Sequence, residues 1–223
     1  MHGWTYGVGA ALLAGTIAPS FADPSPDLIA VCVNCHGPAG ESMQLEIPSL
    51  GGQPGLYAMF QLFLFREGRR TPGPMTELAK QFTDDDLRTL SEAISKWAPP
   101  RPATVAPDST RFDKGRALAA AHHCGICHNA DFSGHDQIPR LANQREDYLL
   151  KALREFKSGA RIGFRGAMAE EVVPLKDDDF VNLSHFLAYL PTKQSMPAPD
   201  AKDAAPSGTA KSPTLPSSQK AGQ

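Results

Sequence analysis

The sequence has no marked excess of either charge, no long apolar run in its body and no alternating strand pattern. It carries 22 basic and 24 acidic side chains among 223 residues. This balance argues against broad binding to nucleic acid, which requires a basic surface. Nothing beyond the N-terminus approaches the ~20 apolar residues that span a bilayer. Since the pattern of alternating apolar residues is also missing, the sequence predicts an all-α protein.

The N-terminus lacks Lys and Arg but otherwise resembles an export signal. Residues 8–18 are apolar or small, and residues 20–22 form a small-x-small cleavage site. The alternative, an anchor that stays attached, would need a longer apolar run. We expect residues 1–22 to be a signal peptide cleaved after Ala22 and the mature protein to be periplasmic.

Only four cysteines are present, and they form two copies of one motif. Residues 32–36 read CVNCH and residues 124–128 read CGICH, both of the form C-x-x-C-H. At a helix end, residues three apart share a face, so both thiols can meet the vinyl groups of one haem while the adjacent histidine projects to the iron. The motifs predict two covalently bound haem c groups. The residues concerned are Cys32, Cys35, His36, Cys124, Cys127 and His128.

Other uses of the cysteines fit the sequence less well. Zinc ribbons separate their cysteine pairs by about 15–20 residues, whereas 88 residues lie between Cys35 and Cys124. A thioredoxin-like pair should lie beside a βαβ pattern, which we do not find. Two disulfides, the usual arrangement in an exported protein, would not require a histidine after both pairs.

The sequence that follows each motif is duplicated as well. Each copy has Ile-Pro-x-Leu, then a Gln, a Tyr that opens a helical pattern, a terminating Gly and an Arg. Each copy closes with three aspartates before an amphipathic helix. We expect Thr83 with Asp86 to cap the first of these helices, and Asp177 to cap the second. The paired positions are Ile47/Ile138, Gln53/Gln144, Tyr57/Tyr148, Gly68/Gly159 and Arg70/Arg161.

Each copy also places one methionine on a Gly-rich loop at a matching distance from its histidine. Met75 lies 39 residues after His36, and Met168 lies 40 residues after His128. A thioether opposite histidine is one ligand set of an electron-transfer haem, and it raises the reduction potential. We predict Met75 and Met168 as the sixth iron ligands, the alternative being that they only fill the core.

A Pro-rich stretch separates the two copies. Residues 99–107 have the composition of a stiff, extended linker. We therefore expect an N-terminal domain over residues 23–98 and a C-terminal domain over residues 108–191. Residues 192–223 are rich in Pro, Ala, Ser and Lys, lack apolar periodicity and are expected to be a disordered tail.

The two motifs, with their duplicated downstream pattern, resemble the cytochrome c4 family over about residues 25–191. The resemblance implies two tandem class I cytochrome c domains, each wrapped around a covalent haem with His/Met ligation, packed with their haems close together. It also implies that the carbonyl groups of Pro48 and Pro139 accept hydrogen bonds from the proximal histidines, which would fix the rings.

The same resemblance implies a function in electron transfer. The expected acceptor is a terminal oxidase or another periplasmic protein, and the expected donor is an upstream reductase or dehydrogenase. The protein could also associate peripherally with membrane complexes. We expect no nucleic-acid partner. The prediction is an electron carrier and not an enzyme. Two alternatives stay open, namely a dihaem subunit of a dehydrogenase or flavocytochrome complex, and a haem enzyme with one open iron site.

The two copies differ along their central helices. Where the first copy has Phe60, Phe63 and Leu64, the second has Lys151, Arg154 and Glu155. An all-round apolar helix is usually buried on more than one side. We hypothesise that the three apolar residues meet the other domain or a partner protein, the alternative being packing within their own domain.

Charge and the two duplicated arginines give further expectations. Residues 23–99 carry 10 acidic and 6 basic side chains, and residues 100–190 carry 12 of each. More negative surroundings favour oxidised iron, so we predict two distinct reduction potentials with the N-terminal one lower. Arg70 and Arg161 are candidates to bind haem propionates, since guanidinium suits carboxylates; the alternative is an ordinary exposed arginine.

Overall fold

The computed structural model describes residues 26–70, 72–161 and 166–191. These residues form helices and loops with one isolated bridge, between His135 and Ile138, which confirms the all-α prediction. Within the same ranges, no helix is long and apolar enough to cross a bilayer. The predicted signal peptide, residues 1–22, and the predicted tail, residues 192–223, lie outside the described residues.

Within the residues that the structure describes, four α-helices make up what we call the N-terminal half, and five make up the C-terminal half. A short 3-10 helix, Pro38–Gly40, follows the first motif. Residues 99–107, between the halves, contain no helix. The N-terminal helices are α1 (Pro26–His36), α2 (Gly55–Arg66), α3 (Pro74–Ala79) and α4 (Asp84–Lys96). The C-terminal helices are α5 (Ser109–Ala121), α6 (Cys124–His128), α7 (Glu146–Ser158), α8 (Ala167–Val172) and α9 (Asp177–Ala188).

Helix caps at the two aspartate triplets differ from each other. Thr83 and Asp86 form a reciprocal capping box at α4, as predicted, with the Asp86 N–H donating to Thr83 Oγ1 at 3.1 Å. The prediction that Asp177 caps α9 is wrong. The Asp179 carboxylate instead accepts the Lys176 N–H at 2.8 Å. Asp177 is engaged elsewhere, because its two oxygens accept from Arg154.

The C-terminal half closes by a tight crossing of α5 over α9. A methyl group added at Gly115 would lie 2.1 Å from the Asn182 carbonyl oxygen, so only glycine fits there. The ring of Phe186 meets those of Phe112 and Phe132 edge to face, with centroids 5.1 and 5.7 Å apart. These contacts make α5 and α9 one packed unit around a buried aromatic core.

The same junction in the C-terminal half carries a buried histidine. His185 on α9 is 4 % exposed and accepts the N–H of Asp108, the residue that caps α5. Its Nδ1 faces Glu146 of α7 at 3.0 Å. His185 is therefore a packed histidine that ties three helices together.

The N-terminal half has no matching helix crossing within the described residues. Its first described helix begins only six residues before Cys32. The face of α4 that corresponds to the α5-contacting face of α9 is polar. Two ion pairs, Arg88–Asp85 and Lys96–Glu92, lie on this face of α4. The core of this half is smaller and gathers around Cys32, Leu62, Ala79, Phe82, Leu87 and Leu90. When the aspartate triplets are aligned, α4 has Arg88, Thr89, Glu92 and Ala93 where α9 has Val181, Asn182, His185 and Phe186.

Candidate functional site

The two C-x-x-C-H motifs end helices, as their spacing requires. The first occupies the last turns of α1, and the second forms α6. No disulfide joins any two of the four cysteines, so the disulfide alternative finds no support. In each motif the second cysteine, Cys35 or Cys127, is exposed, whereas Cys32 is buried and Cys124 is half-buried. Burial raises the pKa of the Cys32 and Cys124 thiols.

Both motif histidines are buried and oriented by a proline carbonyl. His36 Nδ1 lies 2.8 Å from the Pro48 oxygen, and His128 Nδ1 lies 2.9 Å from the Pro139 oxygen. The expectation for the two prolines is thereby confirmed. Burial lowers the pKa of both histidines, so the rings are neutral. Since Nδ1 must carry the proton to donate to a carbonyl, Nε2 keeps the lone pair that an iron ligand needs.

Loops of the same design hold these carbonyl groups in place. In the N-terminal half, the Leu50 N–H donates to the Gly40 oxygen at 2.7 Å, and a methyl group on Gly40 would lie 2.5 Å from the Trp97 ring. In the C-terminal half, the Phe132 oxygen accepts from Leu141 and Ala142. Each loop therefore presents its proline carbonyl from a packed position.

The two predicted methionine ligands lie in short helices and not in loops. Met75 is the second residue of α3, and Met168 is the second residue of α8. Both side chains pack partly buried against the core of their own half. Pro74 at the first position of α3 is a helix-start signal that sequence reasoning missed. Iron ligation by the two methionines stays a prediction.

A symmetric pair of glutamines joins the two halves. Gln144 accepts the Ser49 N–H and donates to the Ser49 carbonyl, both at 2.8 Å. Gln53 makes the same two bonds to Arg140, at 3.1 and 3.0 Å. Ser49 and Arg140 occupy matching positions of the repeat, so the junction has approximate twofold symmetry. The sequence marked both glutamines as repeated but gave no reason for them.

The duplicated arginines lie at the same junction. Arg161 is 4 % exposed and donates to the Tyr57 hydroxyl of the other half at 2.9 Å, so it is not the ordinary exposed arginine of the alternative. Although burial opposes it, Tyr148 and Tyr57 raise the pKa of Arg161. Arg70 donates to Gln61 at 3.0 Å, and burial lowers its pKa.

Arg161 also has an orphaned buried atom that suits a carboxylate. Its Nε is buried without a hydrogen-bond partner among the residues that the structure describes. A guanidinium whose Nε–H has no partner fits an additional acceptor such as a haem propionate. Together with the neutral imidazoles and the paired cysteines of each motif, this donor set fits a haem.

The apolar residues of α2 were expected either to pack within their own half or to meet the other half or a partner protein. Leu64 is 2 % exposed and therefore buried. Phe63 packs against the core of its own half. With Phe60 and Leu56 it also lines a surface hollow that Gln137 of the C-terminal half completes. Packing within the half thus holds for Leu64 and Phe63, and contact of these three residues with the other half stays a hypothesis.

Neutral buried imidazoles beside paired thiols, in a helical frame, define the class of c-type cytochromes. A family model for cytochrome c matches residues 112–191. Cytochrome c4 of Thiocapsa roseopersicina is 30 % identical over 185 residues, covering 78 % of this chain and 95 % of the relative. Cytochrome c4 of Azotobacter vinelandii is 28 % identical over 178 residues, covering 72 % and 85 %. The chain belongs to the cytochrome c4 family, and it carries two covalently bound haem c groups.

Solved structures agree with this assignment, and some of the similar proteins are named as a dehydrogenase or as its electron acceptor. Reduced cytochrome c4 from Pseudomonas stutzeri is 26 % identical, with a TM-score of 0.66 over 73 % of this chain and 95 % of the other. A thiosulfate dehydrogenase from Marichromatium purpuratum is 28 % identical, with a TM-score of 0.64 over 80 % of this chain and 40 % of the other. A thiosulfate dehydrogenase electron acceptor from Thiomonas intermedia is 27 % identical over 155 residues, covering 66 % and 71 %. The protein is therefore an electron-transfer haem protein.

Proposed function

We propose that this protein carries single electrons between redox proteins through two haems, each held by one histidine and one methionine. The observation that supports the proposal most is the matched state of His36 and His128, both buried, neutral and fixed by a proline carbonyl. When bound, each haem supplies a one-electron iron couple. The cysteines hold the group covalently, and the histidines offer Nε2 as the fifth ligand.

Met75 and Met168 are the proposed sixth ligands. Each follows its histidine at nearly the same separation, and each packs against the core that surrounds its motif. A thioether in the sixth position leaves no place for a substrate, so we propose a carrier and not an enzyme. Arg161, with its buried and unpaired Nε, is the proposed partner of a propionate.

Carbon monoxide binding to the reduced holoprotein tests the ligand assignment. Because both sixth positions are filled, the parent protein should bind none. Met75→Ala and Met168→Ala should each open one site and bind one equivalent, whereas the control Met59→Ala, inside α2, should bind none. Binding by the parent protein would instead favour a haem enzyme with an open iron.

The location proposed for this function is the periplasm. Its support is the export-like N-terminus of the sequence. N-terminal sequencing of protein recovered from a periplasmic extract should begin at Asp23. A chain that retains residues 1–22 in the membrane fraction would contradict the proposal.

A second candidate is an electron-accepting subunit of a dehydrogenase complex. Relatives named as thiosulfate dehydrogenase and as its electron acceptor support it. The native mass on gentle purification separates the two candidates, because a free carrier elutes at the mass of one chain or a small oligomer. Co-purification with a catalytic chain in fixed ratio would favour the subunit.

A further inference from the structure

The loop after the first motif presents two bare apolar side chains. Met43 is 83 % exposed and Leu45 is 79 % exposed. Neither belongs to the core of the N-terminal half. Single exposed apolar residues are common on protein surfaces, so the way in which this loop is held decides whether the pair has a role.

Hydrogen bonds hold this loop beside the haem attachment. The Gln44 side-chain amide, between the two apolar residues, donates to the Asn34 carbonyl at 3.1 Å. Asn34 lies inside the motif, directly before Cys35. The Ser42 N–H donates to Ser49 Oγ at 3.1 Å, which closes the base of the loop. Met43 and Leu45 therefore project from a loop tied to the peptide that carries the first haem.

Three side chains from the start of α7 and just before it hold the same loop from the other half. Arg145 donates to the Ser42 carbonyl at 3.2 Å, and Asp147 accepts the Glu46 N–H at 3.1 Å. Lys151 forms an ion pair with Glu46 at 2.9 Å. Glu46 has a φ of 59°, a conformation that non-glycine residues rarely adopt. These contacts restrain the loop, and such preorganisation lowers the entropy cost of docking a partner.

We call Arg145, Asp147 and Lys151 the clamp. It exists on one side of the approximate twofold axis only. The matching loop of the C-terminal half is polar, and the matching clamp positions carry no charge, so neither feature follows from the duplication itself. The exposed pair corresponds to Gly134 and Asp136, and the clamp residues Arg145, Asp147 and Lys151 correspond to Pro54, Leu56 and Phe60. One of the differences between the central helices, Phe60 in the first copy and Lys151 in the second, is therefore explained by the ion pair of Lys151 with Glu46.

The charges next to the exposed pair are neutralised within the protein. Glu41 pairs with Arg101 at 3.0 Å, and Glu46 pairs with Lys151 at 2.9 Å. A complementary surface is therefore apolar and uncharged. We propose that Met43 and Leu45 form the docking site of a redox partner protein whose own redox centre opens on such a surface. This inference rests on the proposed carrier function.

Stopped-flow kinetics with two oxidants test the docking site. The probe is a small blue copper protein in its cupric form, with its copper edge in an uncharged apolar patch, and the reference oxidant is ferricyanide. We expect the double variant Met43→Gln/Leu45→Gln to lower the second-order rate with the copper protein about tenfold, the factor that corresponds to one lost hot-spot contact. The rate with ferricyanide should not change, and salt should alter the copper-protein rate by less than about twofold.

A readout without electron transfer accompanies the kinetics. With the reduced copper protein added, amide NMR signals of residues 42–46 should shift in the parent protein and not in the double variant. The control Val105→Gln, 70 % exposed in the linker, should leave rates and shifts unchanged. Ile126→Gln tests the competing position in the second motif, where Ile126 is 78 % exposed.

Three outcomes would overturn the docking site. They are parental rates in the double variant, a larger loss in Ile126→Gln, or a parent dimer that the double variant abolishes, which would assign the surface to a second copy of this chain. Failure of ferricyanide oxidation in the parent protein would instead contradict the carrier function. The two proposals can therefore fail separately.

Discussion

The C-terminal half closes through a crossing of two helices, whereas the N-terminal half closes without one in the ranges that the structure describes. Gly115 lets α5 approach α9, and Phe186 fills the space between them. The corresponding face of α4 carries ion pairs instead. Even so, His36 and His128 have nearly identical surroundings. The comparison teaches that the haem site depends on the motif and its proline loop, and less on the helix frame.

The N-terminal half compensates by contacts with the other half. Its proline loop is held by Gln144 at Ser49, and the neighbouring loop is held by Arg145, Asp147 and Lys151. A small core with few internal crossings gains stability from such contacts. We therefore expect the N-terminal half to depend more on the junction than the C-terminal half does.

The largest expected effect comes from breaking the crossing. Gly115→Ala should lower the free energy of unfolding of the holoprotein by about 3 kcal/mol, because the added methyl group meets backbone at Asn182. Urea denaturation followed by circular dichroism measures the change. The control is Gly55→Ala at the start of α2, where the nearest atom would lie 3.5 Å away. A neutral Gly115→Ala would contradict the described packing.

Removing either glutamine of the junction should have the next largest effect. Gln144→Leu leaves the buried Ser49 amide groups without partners, and Gln53→Leu does the same at Arg140. Each should lower the free energy of unfolding by roughly 2 kcal/mol, with exposed Gln81→Leu as the control. Because Gln144 binds the half that is expected to depend more on the junction, Gln144→Leu should cost at least as much as Gln53→Leu. A clearly larger cost for Gln53→Leu would contradict that expectation.

The charge difference between the halves should separate the two reduction potentials. Residues 23–99 are more acidic than residues 100–190, and negative surroundings stabilise ferric iron. We expect two midpoints about 60 mV apart, a tenfold difference for a one-electron couple, with the N-terminal haem lower. Potentiometry of the parent protein and of Met75→Ala assigns them. A single midpoint, or a higher N-terminal value, would contradict this account.

The smallest expected effect concerns the first aspartate of each triplet. Arg66 lowers the pKa of Asp84, and Arg154 lowers the pKa of Asp177, through direct hydrogen bonds. Since the folded pKa lies below the unfolded one, the stabilisation is complete above the unfolded pKa and is lost as pH falls through the folded pKa.

Carboxyl NMR titration checks the two pairs separately. Arg66→Gln should raise the pKa of Asp84 alone, and Arg154→Gln that of Asp177 alone. High salt should reduce both effects, because the pairs are exposed. If the pKa of Asp84 is the same in Arg66→Gln as in the parent protein, the ion pair does not persist in solution.

Much of the haem site could be predicted from local sequence, because its geometry is local. The spacing of Cys32, Cys35 and His36 fixes one helix face, and the proline that orients the histidine follows only 12 residues later. The helical starts at Met75 and Met168 were missed because a short helix has little periodicity. The cap at Asp179 was missed because Arg154, 23 residues before Asp177, engages the expected capping residue.

Contacts between the halves could not be predicted, since no periodic pattern encodes them. The sequence shows Gln53 and Gln144 only as matching residues of the repeat, and their partners lie 87 and 95 residues away. The clamp around Glu46 likewise depends on how α7 meets the other half. Such long-range pairs follow from packing, which a single sequence does not display.

The absorption spectrum of the oxidised holoprotein tests the central claim most directly. A far-red band reports the iron–methionine bond, and its intensity can be quantified per haem. The account predicts the intensity of two such bonds, one lost in Met75→Ala and the other in Met168→Ala. An intensity that matches one bond or none would contradict a carrier with two His/Met haems.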